Sequence, residues 1–341
     1  MLEEIKSQPE ILASLQREAE GELDELAARV RERGVDLIVL AARGTSDHAA
    51  IFGQYFLEYV TGIPVALAAP SIVTLYERPL RLSNALVIGL SQSGEAADVD
   101  LYLAAARASG ALTATITNAP GSTMAKHAEH LLLCRADVER AVAATKTYTA
   151  EMALLAMLGL ALAGDAGVSA AFADLPRYMA KTLRLEETVR AQVERYAFIR
   201  ECVVLARGLN QATALETALK IQETSYIGAK GYSAADFLHG PIAMVHQNFP
   251  VLVFAPTGAA RDGLAETADK IKERGGELVV FADDRGILSL GRTSFALPHV
   301  PELFSPFTCI VAAQLFACFL ALAKGYDPDK PHGLTKVTVT R

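Results

Sequence analysis

Residues 35–49 read VDLIVLAARGTSDHA, and residues 201–213 read ECVVLARGLNQAT. Each stretch is an apolar, β-branched run that ends in Ala-Arg-Gly and leads into a helical pattern. Because the same arrangement occurs in both halves of the chain, the sequence indicates an internal duplication.

Two further pairs of apolar runs extend the repeat. Residues 84–100 (NALVIGLSQSGEAADVD) correspond to residues 249–263 (FPVLVFAPTGAARDG), and residues 111–122 correspond to residues 276–286. Strands that alternate with helices in this way form parallel sheets covered on both faces, with right-handed crossovers. The pattern therefore predicts an α/β protein with two tandem, doubly wound parallel-sheet domains of three αβα layers.

Helix-breaking residues place the boundary between the repeats. The run Gly164–Gly167 and Pro176 interrupt the helical pattern that precedes them. We expect a helical segment at residues 1–30, a first domain at residues 31–175 and a second domain at residues 190–341. The second domain would contain a helix with catalytic residues, a loop after it and a C-terminal tail.

Composition excludes several classes of protein. The chain has 341 residues, of which 51% are hydrophobic and 21% charged, as in ordinary globular proteins. Its 39 acidic and 32 basic residues give a net charge of -7, so no basic surplus exists to neutralise a nucleic acid backbone. We therefore expect a small-molecule ligand and no nucleic-acid partner.

Cysteine usage and hydropathy point to a cytoplasmic protein. The four cysteines share apolar surroundings without metal-site spacing, which is typical of buried reduced thiols: Cys134, Cys202, Cys309 and Cys318. The first residues lack the basic start and apolar core of a signal peptide. The apolar run Cys309–Ala323 is shorter than the ~20 residues that a membrane span needs, so it predicts a buried helix and no membrane contact.

Two loops in the first repeat combine glycine with hydroxyl groups: Gly44-Thr45-Ser46 and Ser91-Gln92-Ser93-Gly94. Parallel sheets bind ligands at the carboxyl ends of their strands, where backbone N–H groups and helix dipoles attract anions. Neither loop has the spacing of a nucleotide motif, so a phosphate monoester is the predicted ligand. Helix capping without a ligand is the alternative, since Ser and Thr favour N-caps. The corresponding loops 208–210 and 256–259 have fewer hydroxyls, so we expect no phosphate site there.

The second repeat contains a dense polar segment. On a helix that starts near Ala212, Glu216, Lys220 and Glu223 share one face. After Tyr226 we expect a loop that ends in Asp236, His239 and Gly240. A solvated ladder of ion pairs is one interpretation. The other is a group of general acids and bases with pKa values set by burial.

These segments together resemble the sugar isomerase (SIS) family, in particular the isomerase half of glucosamine-6-phosphate synthase and the stand-alone SIS-type glucosamine-6-phosphate deaminases. The similarity covers nearly the whole chain and is carried by six segments in the family's order: ARGTSDHA (42–49), SQSGEAAD (91–98), ERAVAATKTYT (139–149), ALETALKIQETSYI (214–227), HGPIAM (239–244) and DKPHGLTKVTV (329–339). The resemblance implies two flavodoxin-like SIS domains.

The resemblance also implies roles for ligand-binding residues. Phosphate contacts would come from the hydroxyl loops, at Ser46, Ser91, Gln92 and Ser93, with Gly44 and Thr45 beside them. Val142 and Thr335 would lie near the sugar. No metal and no cofactor is implied.

Four catalytic residues follow from the same similarity. Glu223 matches the base that moves a proton between C1 and C2, and Lys220 matches a helper lysine beside it. His239 matches the residue that assists ring opening and that the synthase donates across a dimer interface, so a homodimer with shared active sites is expected. Lys336 matches the lysine that can form a Schiff base with a ketose, although a lysine in an alternating tail is also typical of an edge strand.

The chain departs from the synthase pattern at several positions. Ala96 and Ala144 each replace a hydroxyl residue, and Gln222 replaces a lysine before Glu223. The first cysteine is Cys134, so we expect no N-terminal glutaminase nucleophile and no ammonia from glutamine.

The predicted function is deamination of glucosamine 6-phosphate to fructose 6-phosphate and ammonia. Alternatives within the family are a transaminase-like isomerase, a fructosamine-6-phosphate deglycase and another aldose/ketose phosphate isomerase. An alternative of another class is a non-catalytic sugar-phosphate sensor, which would not need Glu223, His239 and Lys336 together.

Overall fold

The computed structural model describes residues 1–333, which form two compact units. The N-terminal unit contains Glu10–Glu139 and Ala144–Ala173. The C-terminal unit contains Met1–Pro9, Arg140–Ala143 and residues 174–333. The first nine residues and a short internal segment thus belong to the unit that carries the second repeat.

The N-terminal unit is built on a sheet of five parallel strands. In chain order they are β1 (Leu37–Ala41), β2 (Val65–Leu67), β3 (Ala85–Leu90), β4 (Leu112–Thr117) and β5 (His130–Leu133). They lie side by side in the order β2-β1-β3-β4-β5, and Ile38 pairs with both Val65 and Leu86. Every residue of β3 and β4 is buried, as expected for central strands covered on both faces.

The C-terminal unit repeats this topology. Its strands are β6 (Glu201–Ala206), β7 (Gly228–Ser233), β8 (Pro250–Phe254), β9 (Glu277–Ala282) and β10 (Thr293–Ala296). All pairs are parallel, and the strands lie side by side in the order β10-β9-β8-β6-β7. Read from β7 to β10, this is the order of the first sheet: second strand, first, third, fourth and fifth. The prediction of two tandem doubly wound domains with flavodoxin-like strand order is therefore confirmed.

Helices connect these strands and cover both sheets. Helix α1 (Leu2–Glu18) contributes residues to both units. The N-terminal unit continues with α2 (Glu20–Arg33), α3 (Thr45–Thr61), α4 (Ser71–Thr74), α5 (Ala97–Ala108), α6 (Thr123–His127), α7 (Lys146–Ala163) and α8 (Ala166–Ala173). The C-terminal unit contains α9 (Leu175–Thr182), α10 (Glu186–Val193), α11 (Gln211–Ser225), α12 (Ala234–Leu238), α13 (Arg261–Glu273), α14 (Arg285–Leu288) and α15 (Ser305–Ala323).

Helix α15 is the buried apolar helix that the sequence predicts, although it begins four residues earlier, at Ser305. Within residues 1–333, the stretch Glu302–Ala323 is long and apolar enough to cross a membrane, but 89% of its apolar window is buried inside the protein. It packs against α9, α10 and α11. Its buried polar residue, Gln314, accepts a 2.7 Å hydrogen bond from Gln8, so α15 is a core helix of the C-terminal unit.

All four cysteines are buried and free of disulfides, as predicted. Burial raises the pKa of Cys202 and of Cys318 to about 12, and the pKa of Cys134 well above its usual range. A buried thiol with a raised pKa is a poor nucleophile, so the geometry assigns these residues to packing.

The loop predicted between Tyr226 and Gly240 is wrong: this stretch contains strand β7 and helix α12. The sequence of β7, GAKGYS, is poor in β-branched residues and has two glycines that indicate a turn. Gly231 instead permits a close approach, because a Cβ there would lie 2.8 Å from the carbonyl oxygen of Ala214 on α11. Main-chain pairing with β6 therefore forms this strand, although its side chains do not indicate one.

Candidate active site

The two predicted phosphate loops lie at adjacent strand ends of the N-terminal unit. The loop of residues 42–46 follows β1, the loop of residues 91–96 follows β3, and these strands pair directly; we call the two segments the cradle loops. This is the point at which the strand order reverses, where doubly wound sheets bind their ligands. Gly44 immediately precedes α3 with φ +57°, a conformation that favours glycine.

The second cradle loop is held by its neighbours. Gly94 has φ +65°, and a Cβ on it would lie 2.1 Å from the hydroxyl oxygen of Ser122, so only glycine fits. The carbonyl oxygen of Gln92 accepts hydrogen bonds from the Asn118 N–H and the Thr117 hydroxyl. Backbone contacts therefore fix this loop on the side of the sheet where an anion would approach.

Two serines of this loop hold hydroxyl protons available for a ligand. The oxygen of Ser91 accepts the Gly94 N–H at 3.2 Å, and the oxygen of Ser93 accepts the Glu95 N–H at 3.3 Å. A hydroxyl that accepts in this way retains its own proton to donate. Neither serine caps α5, which begins after Ala96 without a side-chain cap, so the capping alternative is wrong for this loop.

Ser46 is placed differently from these serines. It is buried in the first turn of α3, and its hydroxyl donates a 2.9 Å hydrogen bond to the Glu151 carboxylate on α7. Thr45 begins the helix, and the cap position is occupied by Gly44, so capping is wrong here as well. The geometry gives Ser46 a contact within the unit in addition to its predicted role toward phosphate.

An ion pair connects the first cradle loop to α5, the helix that follows the second cradle loop. Nε of Arg43, directly before Gly44, lies 2.6 Å from Oδ2 of Asp98 in the first turn of α5. The Asp98 side chain is 4% exposed and the Arg43 side chain 50% exposed. A buried carboxylate therefore holds a half-exposed guanidinium directly before Gly44. The sequence interpretation did not select Arg43.

In the C-terminal unit, the loop after β8 is already occupied by carboxylates. The Thr257 N–H and hydroxyl donate to Asp283, and the Ala259 N–H donates to Glu302. A Cβ on Gly258 would lie 2.2 Å from the Glu302 carboxyl carbon. These internal anions occupy the donors that a phosphate would need, which is a physical reason for the expectation that the second repeat has no phosphate site.

Helix α11 assembles a buried ionic cluster, defined here as Glu216, Lys220 and Glu223. Nζ of Lys220 lies 3.3 Å from Oε1 of Glu216 and 2.5 Å from Oε2 of Glu223. The Glu216 and Lys220 side chains are 0% and 1% exposed, whereas Glu223 is 22% exposed. The solvated-ladder interpretation is therefore wrong, because only one end of the cluster reaches the surface.

Burial lowers the pKa of Lys220, but the charges of Glu216 and Glu223 outweigh that effect, so its pKa is raised overall. The lysine remains an ammonium at neutral pH and places a positive charge beside Glu223. That ammonium favours a negative charge on the carboxylate, and the exposed side of Glu223 leaves access for a substrate. Glu216 was not selected from the sequence, although its spacing from Lys220 indicated the contact.

The remaining predicted residues have different placements. His239 follows α12 directly and is exposed. Val142 is half-buried in the C-terminal unit, and its N–H donates to the carbonyl oxygen of Asp329 at 3.4 Å. Thr335 and Lys336 lie outside the described residues, so their roles stay predictions.

Sequence reasoning also missed Glu139. Its carboxylate is buried and accepts hydrogen bonds from the N–H groups of Thr145 and Lys146, at 2.6 and 2.9 Å, and from two threonine hydroxyls. It thereby satisfies the first donors of α7, the usual orphans of a helix N-terminus. In the sequence, the sign of this helix-capping contact was a glutamate six residues before Thr-Lys-Thr.

The sequence matches the SIS domain family over residues 33–161 and 199–324. It is 34% identical over 310 residues to the glutamine--fructose-6-phosphate aminotransferase [isomerizing] of Pyrococcus horikoshii, covering 89% of this chain and 52% of that protein. The chain spans about half the length of the curated relatives it matches.

Solved structures share the fold. A candidate phosphosugar isomerase from Silicibacter pomeroyi DSS-3 is 34% identical with a TM-score of 0.86, over 96% of this chain and 99% of that one. The glucosamine-6-phosphate deaminase of Thermotoga maritima is 22% identical with a TM-score of 0.76, over 97% and 99% of the two chains, and at that identity shows the fold alone. The chain therefore belongs to the SIS domain family.

Proposed function

We propose that this protein is a glucosamine-6-phosphate deaminase, which converts glucosamine 6-phosphate and water to fructose 6-phosphate and ammonia. The observation that carries the proposal is the ionic cluster of α11, in which a buried ammonium lies 2.5 Å from a partly exposed carboxylate. Such a pair suits proton transfer between adjacent carbons. A protein that only binds its ligand would not need to bear the desolvation of these charges.

The cradle loops would hold the phosphate. Ser91 and Ser93 retain protons to donate, and Arg43 adds a cation beside them. Phosphate binding away from the reacting carbons supplies binding energy that fixes the sugar for reaction. Ala96 provides no hydroxyl at this loop, and Arg43, which bonds Asp98 two residues further along, would supply a donor in its place.

The chemistry would proceed from the open-chain aldehyde, which His239 would help to form. Glu223 removes the proton from C2, electrons shift toward the C1 carbonyl, and the resulting enolamine takes a proton at C1. The product is an imine at C2. Water adds to that imine, the C–N bond breaks, and ammonia leaves with the ketone oxygen in its place. Lys336 is proposed to assist at the keto carbon or to protonate the departing amine.

A second candidate is simple aldose/ketose isomerisation of a sugar phosphate. The similarity to the Silicibacter pomeroyi protein favours it, because the match covers nearly all of both chains. The same C1–C2 proton transfer would serve, without loss of ammonia. Two other reactions differ in the fate of an amino acid. Deglycation of a fructosamine phosphate would release an amino acid, and amino-group transfer would consume one as the amino donor.

A panel of sugar phosphates separates these reactions. The purified protein is incubated with glucosamine 6-phosphate, fructosamine 6-phosphate conjugates and neutral hexose phosphates, and ammonia, amino acid and ketose are measured. Deamination predicts ammonia and fructose 6-phosphate only from the first. Ketose formation from a neutral aldose phosphate without any ammonia from glucosamine 6-phosphate would replace the proposal with the second candidate.

We also propose a homodimer in which His239 serves the partner's site. Its exposure at the end of α12 is compatible with a role toward a second chain. Mixing His239→Ala with Glu223→Gln subunits would restore activity, since one composite site would then carry both native residues. Verified mixed dimers that remain inactive would argue for sites made from a single chain.

A further inference from the structure

Tyr226 has a backbone conformation that its residue type disfavours. It ends α11 with φ +56° and ψ +32°, and its N–H donates to the carbonyl oxygen of Gln222 at 3.1 Å. Glycine usually fills this left-handed position, because a side chain there is strained. Bulky residues in such positions are uncommon and persist where surrounding contacts require the side chain.

The side chain of Tyr226 has two partners in the segment 326–333. Its hydroxyl oxygen accepts the backbone N–H of His332 at 2.5 Å. Its ring meets the ring of Tyr326 edge to face, with centroids 4.9 Å apart. The residue therefore contacts both ends of the segment, although 43% of it is exposed.

Other contacts hold the middle of this segment within the same unit. The Asp329 carboxylate forms an ion pair with the N-terminal amine of Met1, and its carbonyl oxygen accepts the Val142 N–H at 3.4 Å. Pro328 and Pro331 are buried. The segment is thus held at several points, and Tyr226 connects it to the C-terminal end of α11.

We propose that Tyr226 is a positioning residue that anchors segment 326–333 to the end of α11. It lies three residues after Glu223, and Lys336 follows Gly333 by three residues in the sequence. The anchor would fix the start of the C-terminal tail relative to the helix that carries the base. The effect of this anchor on catalysis rests on the proposed function. The contacts that form the anchor do not depend on that function.

Hydrogen exchange tests the anchor directly. In Tyr226→Phe, which keeps the ring but removes the acceptor, we expect amides in the peptide covering 326–333 to exchange about 2- to 10-fold faster, the factor that one ordinary hydrogen bond represents. Tyr226→Gly removes the ring and relieves the backbone, and should increase exchange further. Peptides within 211–225 should stay unchanged. Tyr178→Phe on α9 and Asn248→Gly, another left-handed residue with φ +61°, serve as matched controls.

Kinetics tests the consequence. Tyr226→Gly should lower kcat by about 10- to 100-fold, as expected for a misplaced reacting group, while KM changes less than about 3-fold. Unchanged exchange in both Tyr226 variants would overturn the anchor. Faster exchange with wild-type kcat would overturn its positioning role. A wild-type protein that acts on no sugar phosphate would refute the proposed function while leaving the exchange test of the anchor valid.

Discussion

Nζ of Lys220 lies 2.5 Å from Oε2 of Glu223, and the pair sits on one face of α11. The lysine is 1% exposed and also contacts Glu216, so its charge is balanced before any substrate arrives. In the proposed reaction this arrangement places an ammonium beside the Glu223 carboxylate while leaving part of that carboxylate accessible. The same residues of this helix thus affect both the stability of the fold and the proposed activity. Variants at these positions can measure the two effects separately.

Replacing Lys220 by Met should destabilise the protein and abolish activity. The change leaves the Glu216 carboxylate buried at 0% exposure without its ammonium, which typically costs about 3 to 5 kcal/mol. Urea unfolding followed by circular dichroism measures the stability change. A loss below about 1 kcal/mol would show that the pair is not buried as described.

The double variant Glu216→Met/Lys220→Met should recover most of that stability, because apolar replacements of a buried ion pair are often neutral. It should remain inactive, since Glu223 lacks its ammonium. Recovery of stability together with activity would show that the lysine acts only in folding.

Removing the two loop hydroxyls should weaken phosphate binding. We expect Ser91→Ala/Ser93→Ala to raise the Kd of the sugar phosphate by about 100-fold or more, since each hydroxyl bonded to a charged group contributes about 1.5 to 3 kcal/mol and two are removed. Calorimetry measures Kd. Ser109→Ala, at the far end of α5, is the matched control and should bind normally. Equal affinities for the double variant and the control would show that this loop does not bind the phosphate.

Arg43→Ala should raise the Kd of inorganic phosphate and sugar phosphate by about 10-fold or more at low salt. The difference from wild type should shrink at high ionic strength, because half-exposed charges are screened. Arg107→Ala, an exposed arginine on α5, tests for a general charge effect. A salt-independent loss would instead indicate that Arg43 acts through the shape of the loops.

Tyr196 should make the protein less stable at alkaline pH. Burial raises its pKa from 10.0 to about 12, and its hydroxyl donates to Thr293 at 2.7 Å. Below pH 10 the folded and unfolded states both hold the phenolic proton. Between pH 10 and about 12 only the unfolded chain loses it, so the free energy of unfolding falls with rising pH.

Urea unfolding at several pH values isolates this contribution. Relative to Tyr196→Phe, the wild type should lose about 1 to 2 kcal/mol more between pH 10 and 12, whereas buried cysteines affect both proteins alike. Parallel curves for the two proteins would exclude Tyr196 as the titrating group.

Much of the fold could be predicted from sequence, because buried parallel strands read as continuous apolar runs and their order repeats. Strand β7 could not, since GAKGYS depends on pairing with β6 and on the close approach at Gly231 to α11. Its glycines serve packing, and a local pattern cannot distinguish that from a turn.

The candidate site shows a similar division. The spacing of Glu216, Lys220 and Glu223 predicted a shared face, but only the packing of α15 and β7 on α11 shows that two of the three are buried. Arg43 and Tyr226 had no signal in sequence, because the contact with Asp98 joins a loop to a helix far along the chain and the left-handed backbone is a tertiary property. Lys336 and Thr335 remain predictions from family resemblance.

The central claim is that Glu223 drives deamination of glucosamine 6-phosphate. A proton NMR time course with the purified protein, alongside an assay for ammonia, should show fructose 6-phosphate and ammonia appearing in equal amounts. Glu223→Gln should abolish both, and Glu273→Gln, an exposed residue of α13, should behave like wild type. Unchanged glucosamine 6-phosphate with the wild type, or undiminished turnover by Glu223→Gln, would contradict the account.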